Sequence, residues 1–349
     1  MAMPAELEGA RPFQALPVYK HSRQTRALRD TPYERRATIN HMVDSSKILL
    51  VTGGAGFIGS NLVDALLARE RRVRVIDNFA TGRRDNLNPQ AELFERDIRQ
   101  LEPMRGAFAG VDCVFHTAAL PRVPLSIEKP VETHMVNVVG TLNVLIAARD
   151  AKVRRVIYSG SSSAYGNQPA LPLREEMKPN PLNPYALQKL TGEEYTRLFH
   201  QLFGMQTLTL RYFNVFGPRM ATEGAYVTVM SMFVRALKQG QPLTIHGDGE
   251  QSRDFTHVSD VVRANLLAMN CPVADGRPIN IGQGRNLSIN RIAALFGGPV
   301  VHMDARPGDA RHTLADIRRA AEILGWQPLE TTERGVAAIL AEAGLQGPK

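Results

Sequence analysis

A glycine-rich loop between a strand and a helix is the sequence feature that most constrains the fold. Residues 52–60 read TGGAGFIGS, directly after the apolar stretch KILLV and at the start of a helical pattern. In such a loop Gly53 permits a tight turn, Gly56 lets the backbone approach a pyrophosphate, and Gly59 allows close helix–strand packing. The helix N-terminus then offers amide donors and a positive dipole end to the phosphates. The loop therefore predicts a dinucleotide site after the first strand.

An acidic residue at the end of the second predicted strand supports this interpretation. Asp77 closes RVRVID and lies 18 residues past Gly59. A carboxylate there accepts hydrogen bonds from an adenosine ribose and repels a 2′-phosphate, which favours NAD over NADP. Arg83 and Arg84 follow closely, and a nearby arginine can instead hold that phosphate. The order of strand, loop, helix, strand and acid predicts NAD as the cofactor.

Strand and helix patterns alternate from Lys47 to about Phe216, which is typical of a parallel doubly wound sheet. After Gly217 the alternation stops and the pattern becomes more irregular. We expect an α/β fold with a Rossmann-like NAD-binding domain over 47–217, to which 253–282 returns, and a smaller substrate-binding lobe mainly over 218–349. The predicted strands are 47–51, 72–77, 113–119, 155–160 and 207–213, and the predicted helices are 57–69, 132–150, 184–203 and 226–239.

Residues 1–46 are polar and contain arginines and prolines together with several acidic side chains. They lack the continuous apolar segment of a secretory signal, so we expect a disordered or loosely attached extension. Met42, just before the first strand, is an alternative native start. With Cys113 and Cys271 as the only cysteines, a disulfide framework is not indicated, and we expect a reducing, cytoplasmic location.

Charge and hydropathy disfavour several classes of partner. The formal net charge is +8, but the basic residues are scattered, whereas nucleic-acid binding usually shows a clustered basic patch. No uninterrupted apolar run approaches the roughly 20 residues of a membrane span. No histidine or cysteine spacing indicates a metal site. We therefore expect no nucleic-acid partner, no membrane span and no metal.

A tyrosine and a lysine lie four residues apart in NPYALQKLTGEEYTRLFHQLFG. Asn183 can cap this helix, Pro184 fits its first turn, and Gly204 can end it. At 3.6 residues per turn, Tyr185 and Lys189 point the same way. Such a pair is common by chance, so its position behind a dinucleotide loop gives it meaning.

The chemistry expected of this pair is general-base catalysis. A free tyrosine has a pKa of about 10, too high for a base at neutral pH. One ammonium about 4 Å away, at an effective dielectric of about 20, is worth roughly 4 kcal/mol, or about three pKa units. Lys189 is therefore expected to bring a Tyr185 phenolate within reach near pH 7.

The G-x-x-G-x-x-G spacing with Tyr185 and Lys189 downstream resembles the short-chain dehydrogenase/reductase superfamily. The chain length and TGGAGFIGSNLV are similar to its extended branch, which acts mostly on nucleotide sugars, and the resemblance covers roughly 47–340. It implies that 116–120 lines the cofactor and that 137–141 supports the core. The implied cofactor-binding residues are Gly53, Gly56, Phe57, Ile58, Gly59, Asp77, Asn78, Asp97, Ile98, Ala118, Ala119, Tyr185 and Lys189.

The segment YSGSSSAYGNQP, 158–169, follows the fourth predicted strand. Relatives place a catalytic hydroxyl four residues before the Tyr-Gly pair, which implies Ser161 here, with Ser162 and Ser163 as substitutes. Family dehydratases carry an Asp-Glu pair in this segment and decarboxylases a Glu, but 162–164 contains no carboxylate. The resemblance therefore implies an epimerase, which oxidises its substrate and returns the hydride.

The resemblance also implies a set of substrate contacts. Arg253 and Arg306 are expected to clamp a diphosphate, because guanidinium groups make bidentate, charge-assisted bonds. At position 313 a bulky aromatic residue would restrict the pocket to glucose and galactose, whereas Thr313 is small enough to admit an N-acetyl group. The implied substrate-binding residues are Ser161, Ser162, Asn214, Arg219, Arg253, Arg306 and Thr313.

These features predict an NAD-dependent 4-epimerase of UDP-sugars that interconverts UDP-GlcNAc and UDP-GalNAc, and also UDP-Glc and UDP-Gal as a wider range. One departure from the related epimerases is PRVPLS, with Arg122 and Leu125 where they usually have a small and a basic residue. The alternatives are a UDP-glucuronate 4-epimerase, another nucleotide-sugar oxidoreductase, or a silent NAD-sensing protein. Relatives commonly form homodimers through helices that correspond to 132–150 and 184–203, so a homodimer is expected.

Overall fold

The computed structural model describes residues 47–221, 228–305 and 310–347. The predictions for 1–46, Met42 and Arg306 fall outside these ranges. The described strands are β1 Ile48–Thr52, β2 Arg72–Asp77, β3 Glu92–Glu95, β4 Val111–His116, β5 Arg155–Ser161, β6 Gln206–Tyr212, β7 Val215–Phe216, β8 Leu243–His246, β9 Ser252–Asp254, β10 Thr256–His257, β11 Asp275–Ile281, β12 Asn286–Ser288 and β13 Val300–Met303.

Helices connect these strands in the described ranges. The α-helices are α1 Phe57–Leu67, α2 Leu101–Met104, α3 Val123–Glu128, α4 Pro130–His134, α5 Thr141–Asp150, α6 Pro184–Phe203, α7 Val229–Lys238, α8 Val258–Asn270, α9 Ile289–Phe296, α10 Arg318–Leu324 and α11 Thr332–Glu342. Short 3₁₀ turns occupy Arg84–Asn86, Arg105–Phe108 and Ser162–Tyr165, and a π-helical turn occupies Met135–Gly140.

Seven strands form the central sheet in the order β11-β6-β5-β4-β1-β2-β3. Every neighbouring pair in this sheet is parallel. The first six strands in chain order follow the 3-2-1-4-5-6 arrangement of Rossmann folds, and β11 adds a seventh strand beside β6. The predicted doubly wound parallel sheet is therefore confirmed.

Both faces of the sheet are buried under helices. Strand β1 sends Leu49 and Val51 to one face and Leu50 to the other, as the two-residue period of a strand requires. Leu49 and Val51 join the core beneath α1, α8 and α10, whereas Leu50 joins the core beneath α2, α5 and α6. Truncating a fully buried leucine such as Leu50 to alanine typically costs about 2–5 kcal/mol. This cost explains why a central strand such as β1 is a nearly continuous apolar run.

The C-terminal lobe has its own core, built from α7, α9, α11 and β8. Its small sheets pair β8 with β13, β9 with β12, and β7 with β10. Phe57, at the start of α1, packs against this core as well as the core of the central sheet. The lobe therefore meets the sheet beside the glycine-rich loop.

The predicted helix over 184–203 is confirmed together with its caps. The Asn183 side chain accepts a hydrogen bond from Ala186 N at 2.9 Å, and Pro184 occupies the first turn. Gly204 ends the helix in the left-handed conformation, with φ 63°. By contrast, the helix predicted over 132–150 is divided by the π-helical turn at Met135–Gly140.

The helical stretch Pro130–Asp150 has 21 residues and contains an 18-residue window with a mean hydropathy of 1.3, the length and hydropathy of a membrane span. Half of that window is buried inside the fold. A core helix passes the same test, and α5 contributes Val144 and Leu145 to the core under the sheet. This single helix is weak evidence for a membrane, and the expected absence of a span stays a prediction.

Candidate active site

A cavity of about 880 Å³ opens at the carboxyl ends of β1 and β4, where the strand order reverses. Open α/β sheets bind ligands at this switch point. The cavity brings together all the predicted site residues within the described ranges. They are Gly53, Gly56, Phe57, Ile58, Gly59, Asp77, Asn78, Asp97, Ile98, Ala118, Ala119, Ser161, Ser162, Tyr185, Lys189, Asn214, Arg219, Arg253 and Thr313.

The glycine-rich loop is shaped by close backbone contacts. Gly53 has φ +72°, so the tight turn predicted there is confirmed. A Cβ on Gly53 would also lie 2.8 Å from the backbone of Ala118, in the loop that follows β4. A Cβ on Gly59 would lie 2.1 Å from the carbonyl oxygen of Gly53. The loop thus brings the N-terminus of α1 to the cavity without an intervening side chain.

Asp77 lies at the end of β2 with its carboxylate turned toward this loop. Oδ2 accepts a hydrogen bond from Ala55 N at 2.9 Å, and Oδ1 accepts one from Phe79 N at 2.8 Å. Burial raises the pKa of Asp77, and these backbone N–H groups oppose that rise. The carboxylate is therefore fixed in orientation at the cavity wall, where the ribose of a dinucleotide would meet it.

Next to Asp77, a polar cluster borders the same end of the cavity. Asn78 Nδ2 donates to Asp97 Oδ2 at 3.1 Å, and the Arg99 guanidinium pairs with the same carboxylate. The Arg84 guanidinium stacks over the Phe79 ring, 4.1 Å from its centroid. Because Arg84 also pairs with Glu95 at 2.7 Å, it has an acidic partner besides any phosphate. The glycine cradle and the Asp77 carboxylate together fit NAD.

Ser161 and Tyr185 both line the cavity and lie within hydrogen-bonding reach of each other. Ser161 lies at the end of β5, where its Oγ accepts from Ser163 N at 3.2 Å and lies 2.8 Å from Ser163 Oγ. A hydrogen bond from the Ser161 side chain lowers the pKa of Tyr185, whereas burial has the larger effect and raises it. The two hydroxyl groups can therefore act on one substrate oxygen.

Lys189 lies one turn after Tyr185 and is almost fully buried. Its Nζ lies 4.4 Å from the centroid of the Tyr158 ring. Burial lowers the pKa of Lys189 to about 7. The expected large fall in the Tyr185 pKa is therefore wrong for the protein groups alone, because desolvation outweighs the hydrogen bond from Ser161.

Buried polar side chains brace the segments around this pair. Asn137 accepts from Leu120 N at 2.8 Å and donates to Leu120 O at 3.1 Å and to Gln188 Oε1 at 2.9 Å. His116 lies between Thr52 and Thr141, at 2.7 and 2.9 Å. Asn137 therefore supports the core, as predicted, by joining the loop after β4 to α6.

The half of the cavity that is predicted to bind the substrate lies where β9 meets the segment around Thr313. Asn214 Nδ2 donates to Asp254 O at 2.9 Å and to Thr313 Oγ1 at 3.3 Å. Thr313 is buried, and its hydroxyl also accepts from Asp254 N at 3.3 Å. Because Asn214 and Thr313 hold each other, their positions at the cavity wall are set before any ligand binds.

The predicted arginines differ in their partners. Arg253 Nη1 donates to Ser252 O at 3.0 Å and to Arg311 O at 3.1 Å, so carbonyl groups hold its guanidinium at the cavity. Arg219 instead pairs with Asp64 of α1 at 2.6 Å. The Arg219 charge is therefore largely compensated within the protein.

Two supporting residues were not predicted from the sequence. Ser126 is fully buried, accepts a hydrogen bond from Tyr185 N at 3.0 Å and donates to Val123 O at 2.7 Å. Asp254 is fully buried and accepts from the backbone N–H groups of Gln283, Gly284 and Ala315 at 2.6, 3.0 and 3.0 Å. The available signals were a serine within the apolar run VPLSI and an acid directly after Arg253.

Comparisons with known proteins agree with this geometry. The model of the NAD dependent epimerase/dehydratase family matches residues 49–282. A putative UDP-glucose 4-epimerase of Methanocaldococcus jannaschii is 38% identical over 301 residues, which cover 84% of this chain and 97% of that protein. Within the described part of the chain, no group of three or more histidine, cysteine or acidic residues is placed to hold a metal.

Solved structures of similar proteins share the fold. The UDP-glucose 4-epimerase of Thermotoga maritima, solved with UDP-glucose, has a TM-score of 0.80 at 37% identity, covering 83% of this chain and 96% of that one. The UDP-N-acetylglucosamine 4-epimerase of Methanobrevibacter ruminantium M1 has a TM-score of 0.78 at 36% identity, with the same coverage. The chain belongs to the NAD dependent epimerase/dehydratase family and, within it, to the isomerases of the UDP-sugar 4-epimerase kind.

Proposed function

We propose that this protein interconverts UDP-N-acetylglucosamine and UDP-N-acetylgalactosamine by inversion at C4. The observation that carries this proposal is a single cavity in which Ser161, Tyr185 and Lys189 face the glycine-rich loop while Thr313 borders the sugar end. No carboxylate occupies 162–164, so the site offers no added acid for elimination or decarboxylation. The chemistry that remains is oxidation and return at one carbon.

The proposed mechanism assigns one task to each side chain. NAD would be held by the glycine-rich loop and Asp77 and would supply a reversible hydride acceptor for C4. Tyr185 takes the proton of the C4 hydroxyl, and Ser161 orients that oxygen through its own hydroxyl. The buried Lys189 ammonium stabilises the Tyr185 phenolate. Arg253 holds the diphosphate so that the sugar can turn while the nucleotide stays in place.

Thr313 supports the choice of an N-acetylated sugar. Its side chain is small, buried and held by Asn214, so it leaves room at the cavity wall that an aromatic ring would fill. The similar epimerase of Methanobrevibacter ruminantium M1, described for UDP-N-acetylglucosamine, agrees with this choice. Replacing Thr313 with tyrosine should therefore exclude the N-acetyl group while leaving UDP-glucose as a substrate.

A second candidate, a UDP-glucuronate 4-epimerase, is favoured by Arg122. This residue occupies the N-cap position of α3 and lines the same cavity as Ser161 and Tyr185. A guanidinium at this position would attract the C6 carboxylate of a uronic acid. The two candidates therefore differ in the residue that selects the sugar, which is Thr313 for the N-acetyl group and Arg122 for the carboxylate.

The test is to incubate the purified protein separately with UDP-GlcNAc, UDP-glucose and UDP-glucuronate and to resolve the products by NMR. The proposal expects C4 inversion fastest with UDP-GlcNAc, loss of that activity in Thr313→Tyr, and no net NADH absorbance. Inversion of UDP-glucuronate alone, abolished by Arg122→Gln, would support the second candidate instead. Failure to invert any of the three sugars, or full activity in Tyr185→Phe, contradicts both.

We also propose that the protein works as a homodimer. Helices α4 and α6 pack against each other and expose large apolar side chains, with Val131 74%, Leu187 54% and Leu202 69% exposed. Large exposed apolar side chains on neighbouring helices indicate an interaction surface. A second copy of the same face would cover them by two-fold symmetry. Light scattering should give a dimer mass that Leu187→Asp/Leu202→Asp reduces to a monomer; a monomeric wild type contradicts the proposal.

A further inference from the structure

A buried ion pair lies directly behind the catalytic helix. Arg211 of β6 donates two bonds to Glu193 of α6, Nε to Oε2 at 2.8 Å and Nη2 to Oε1 at 2.5 Å. The two side chains are only 3% and 5% exposed. Removing both charges from water is costly, and apolar replacements of such pairs are often neutral or stabilising. The pair is therefore weak evidence for stability and calls for another explanation.

The surroundings of the ion pair are further evidence against a purely structural role. The Arg211 guanidinium stacks over the Tyr165 ring, 4.6 Å from its centroid. Its third nitrogen, Nη1, is buried and makes no hydrogen bond to any described residue. A buried N–H group without an acceptor destabilises the fold. The arginine nevertheless holds both carboxylate oxygens of Glu193, which fixes where that negative charge lies.

The negative charge lies one helical turn from Lys189. Glu193 follows Lys189 by four residues, the same spacing that separates Lys189 from Tyr185, so the three side chains follow one face of α6. The other elements packed against Lys189 present His116 from β4 and Tyr158 from β5. Burial lowers the pKa of His116 to about 3 and raises that of Tyr158, so both are neutral near pH 7. Among the described groups that act on Lys189, Glu193 supplies the negative charge.

Glu193 acts unequally on the two members of the catalytic pair. Burial lowers the pKa of Lys189 and the Glu193 charge opposes that fall, whereas burial and a hydrogen bond from Ser161 are what shift the pKa of Tyr185. When the pair loses its first proton, the remaining proton can rest on the lysine or on the phenol. The first arrangement, ammonium and phenolate, contains a base, and the second, amine and phenol, does not. A fixed carboxylate near Lys189 favours the first arrangement.

We propose that Glu193, fixed by Arg211, is a positioning residue that keeps the shared proton on Lys189 and so leaves Tyr185 as the phenolate base. The inference rests on the proposed role of Tyr185 as the base. It explains why a charged pair, rather than an apolar contact, lies between α6 and β6 at this turn. It also assigns Arg211 a task that lysine, without the planar fork, would perform less well.

The test measures where Tyr185 ionises, by the ultraviolet difference signal of phenolate across pH, with each protein compared with its own Tyr185→Phe form. The main variant is Glu193→Gln/Arg211→Met, which removes both charges together and leaves no unpaired buried ion. Glu193→Asp keeps the charge and serves as the conservative rescue. Glu194→Gln is the matched control, because it also removes one charge from α6, but from an exposed side chain paired with Arg197.

The double variant should raise the pH at which Tyr185 becomes phenolate by about one unit and lower kcat near pH 7 by about tenfold. Glu193→Asp should recover most of both quantities, and Glu194→Gln should change neither. An unchanged or lower phenolate midpoint in the folded double variant overturns the proposal. If that variant does not fold, Arg211→Lys is measured instead, with a smaller upward shift expected and no shift overturning it. A wild type that inverts no UDP-sugar refutes the proposed function, whereas the titration still tests the charge placement.

Discussion

The cavity has a predicted cofactor half, around the glycine-rich loop and Asp77, and a predicted substrate half, around Asn214 and Thr313, and the two are constructed by different means. In the cofactor half, glycines allow backbone segments to touch, as where Gly59 lies against the carbonyl of Gly53. In the substrate half, a buried side chain holds the backbone segments together, because Asp254 accepts hydrogen bonds from three backbone N–H groups in two distant segments. A backbone contact this close tolerates only glycine, whereas a buried side-chain anchor depends on the packing of all the segments around it. Substitutions should therefore cause an abrupt loss of function in the cofactor half and a graded loss in the substrate half.

The strongest test of this contrast is Gly59→Ala. A Cβ there would lie 2.1 Å from the Gly53 carbonyl oxygen, so the loop or α1 must shift. Overpacking of this kind costs about 1–3 kcal/mol or more, and the shift falls on the cofactor site itself. We expect NAD affinity to fall at least about 100-fold, the equivalent of about 3 kcal/mol, measured by calorimetric titration.

The control for Gly59→Ala is Gly106→Ala, where an added Cβ would meet no atom within 4 Å. Its effect on both NAD affinity and stability should stay within about 0.5 kcal/mol. Equal losses in the two variants would show that the glycine loop tolerates a side chain and that the cofactor half is not set by backbone contact.

The cofactor half was also the part that the sequence predicted best. Gly53, Asp77 and the ends of α6 are local features, since each depends on residues within one turn or one strand end. The fall in the Tyr185 pKa expected from the attraction of Lys189 is wrong because desolvation of the buried phenol raises that pKa. Burial of that pair depends on His116 and Tyr158, which come from other strands.

Asp254 offers a test of the substrate half through pH. Burial raises its pKa to about 6, despite the backbone N–H groups that favour the carboxylate. Between pH 4 and 6 the folded state therefore binds this proton more tightly than the unfolded chain does. Protonated Asp254 therefore contributes about 3 kcal/mol to the free energy of unfolding below about pH 4. This contribution is lost as pH rises through about 6.

The measurement compares urea unfolding of the wild type and Asp254→Asn across this pH range. Other carboxyl groups titrate in both proteins, so the difference between the two curves isolates Asp254. We expect the free energy of unfolding of the wild type, relative to the variant, to fall as pH rises from 4 to 6. A relative rise would mean that the hydrogen bonds to Gln283, Gly284 and Ala315 outweigh burial.

The substitution Arg253→Gln should weaken substrate binding without changing the binding of NAD. The guanidinium is held by the carbonyl groups of Ser252 and Arg311 and lines the substrate half of the cavity. Loss of a charge-assisted bond to a diphosphate costs about 1.5–3 kcal/mol, so KM for the UDP-sugar should rise about 10- to 100-fold. NAD affinity should stay unchanged; a parallel loss of NAD affinity would show that the halves are coupled. Arg277→Gln, at an exposed pair with Asp275, is the matched control.

Much of the substrate half escaped prediction because its anchors join residues far apart in the chain. Asp254 meets Ala315, 61 residues later, and Ser126 meets Tyr185, 59 residues later. Nothing in the local pattern of either residue reveals such a partner. Arg219, whose motif predicts a substrate contact, lines the cavity and also pairs with Asp64, a partner that its motif does not reveal. Motifs locate the side chains, and the topology decides their partners.

Ser126→Ala gives the smallest expected effect and tests the joint between the halves. The Ser126 hydroxyl links Val123, the first residue of α3 and the neighbour of Arg122, to the backbone N–H of Tyr185. Because its loss leaves a buried N–H without its acceptor, we expect a cost of about 1 kcal/mol and a fall in kcat of about fivefold, with NAD affinity unchanged. Thr191→Ala, on the exposed face of the same helix, should leave kcat unchanged. Equal effects of the two substitutions would show that α3 and Tyr185 are positioned independently of each other. The contrast between the two halves would then extend to Tyr185.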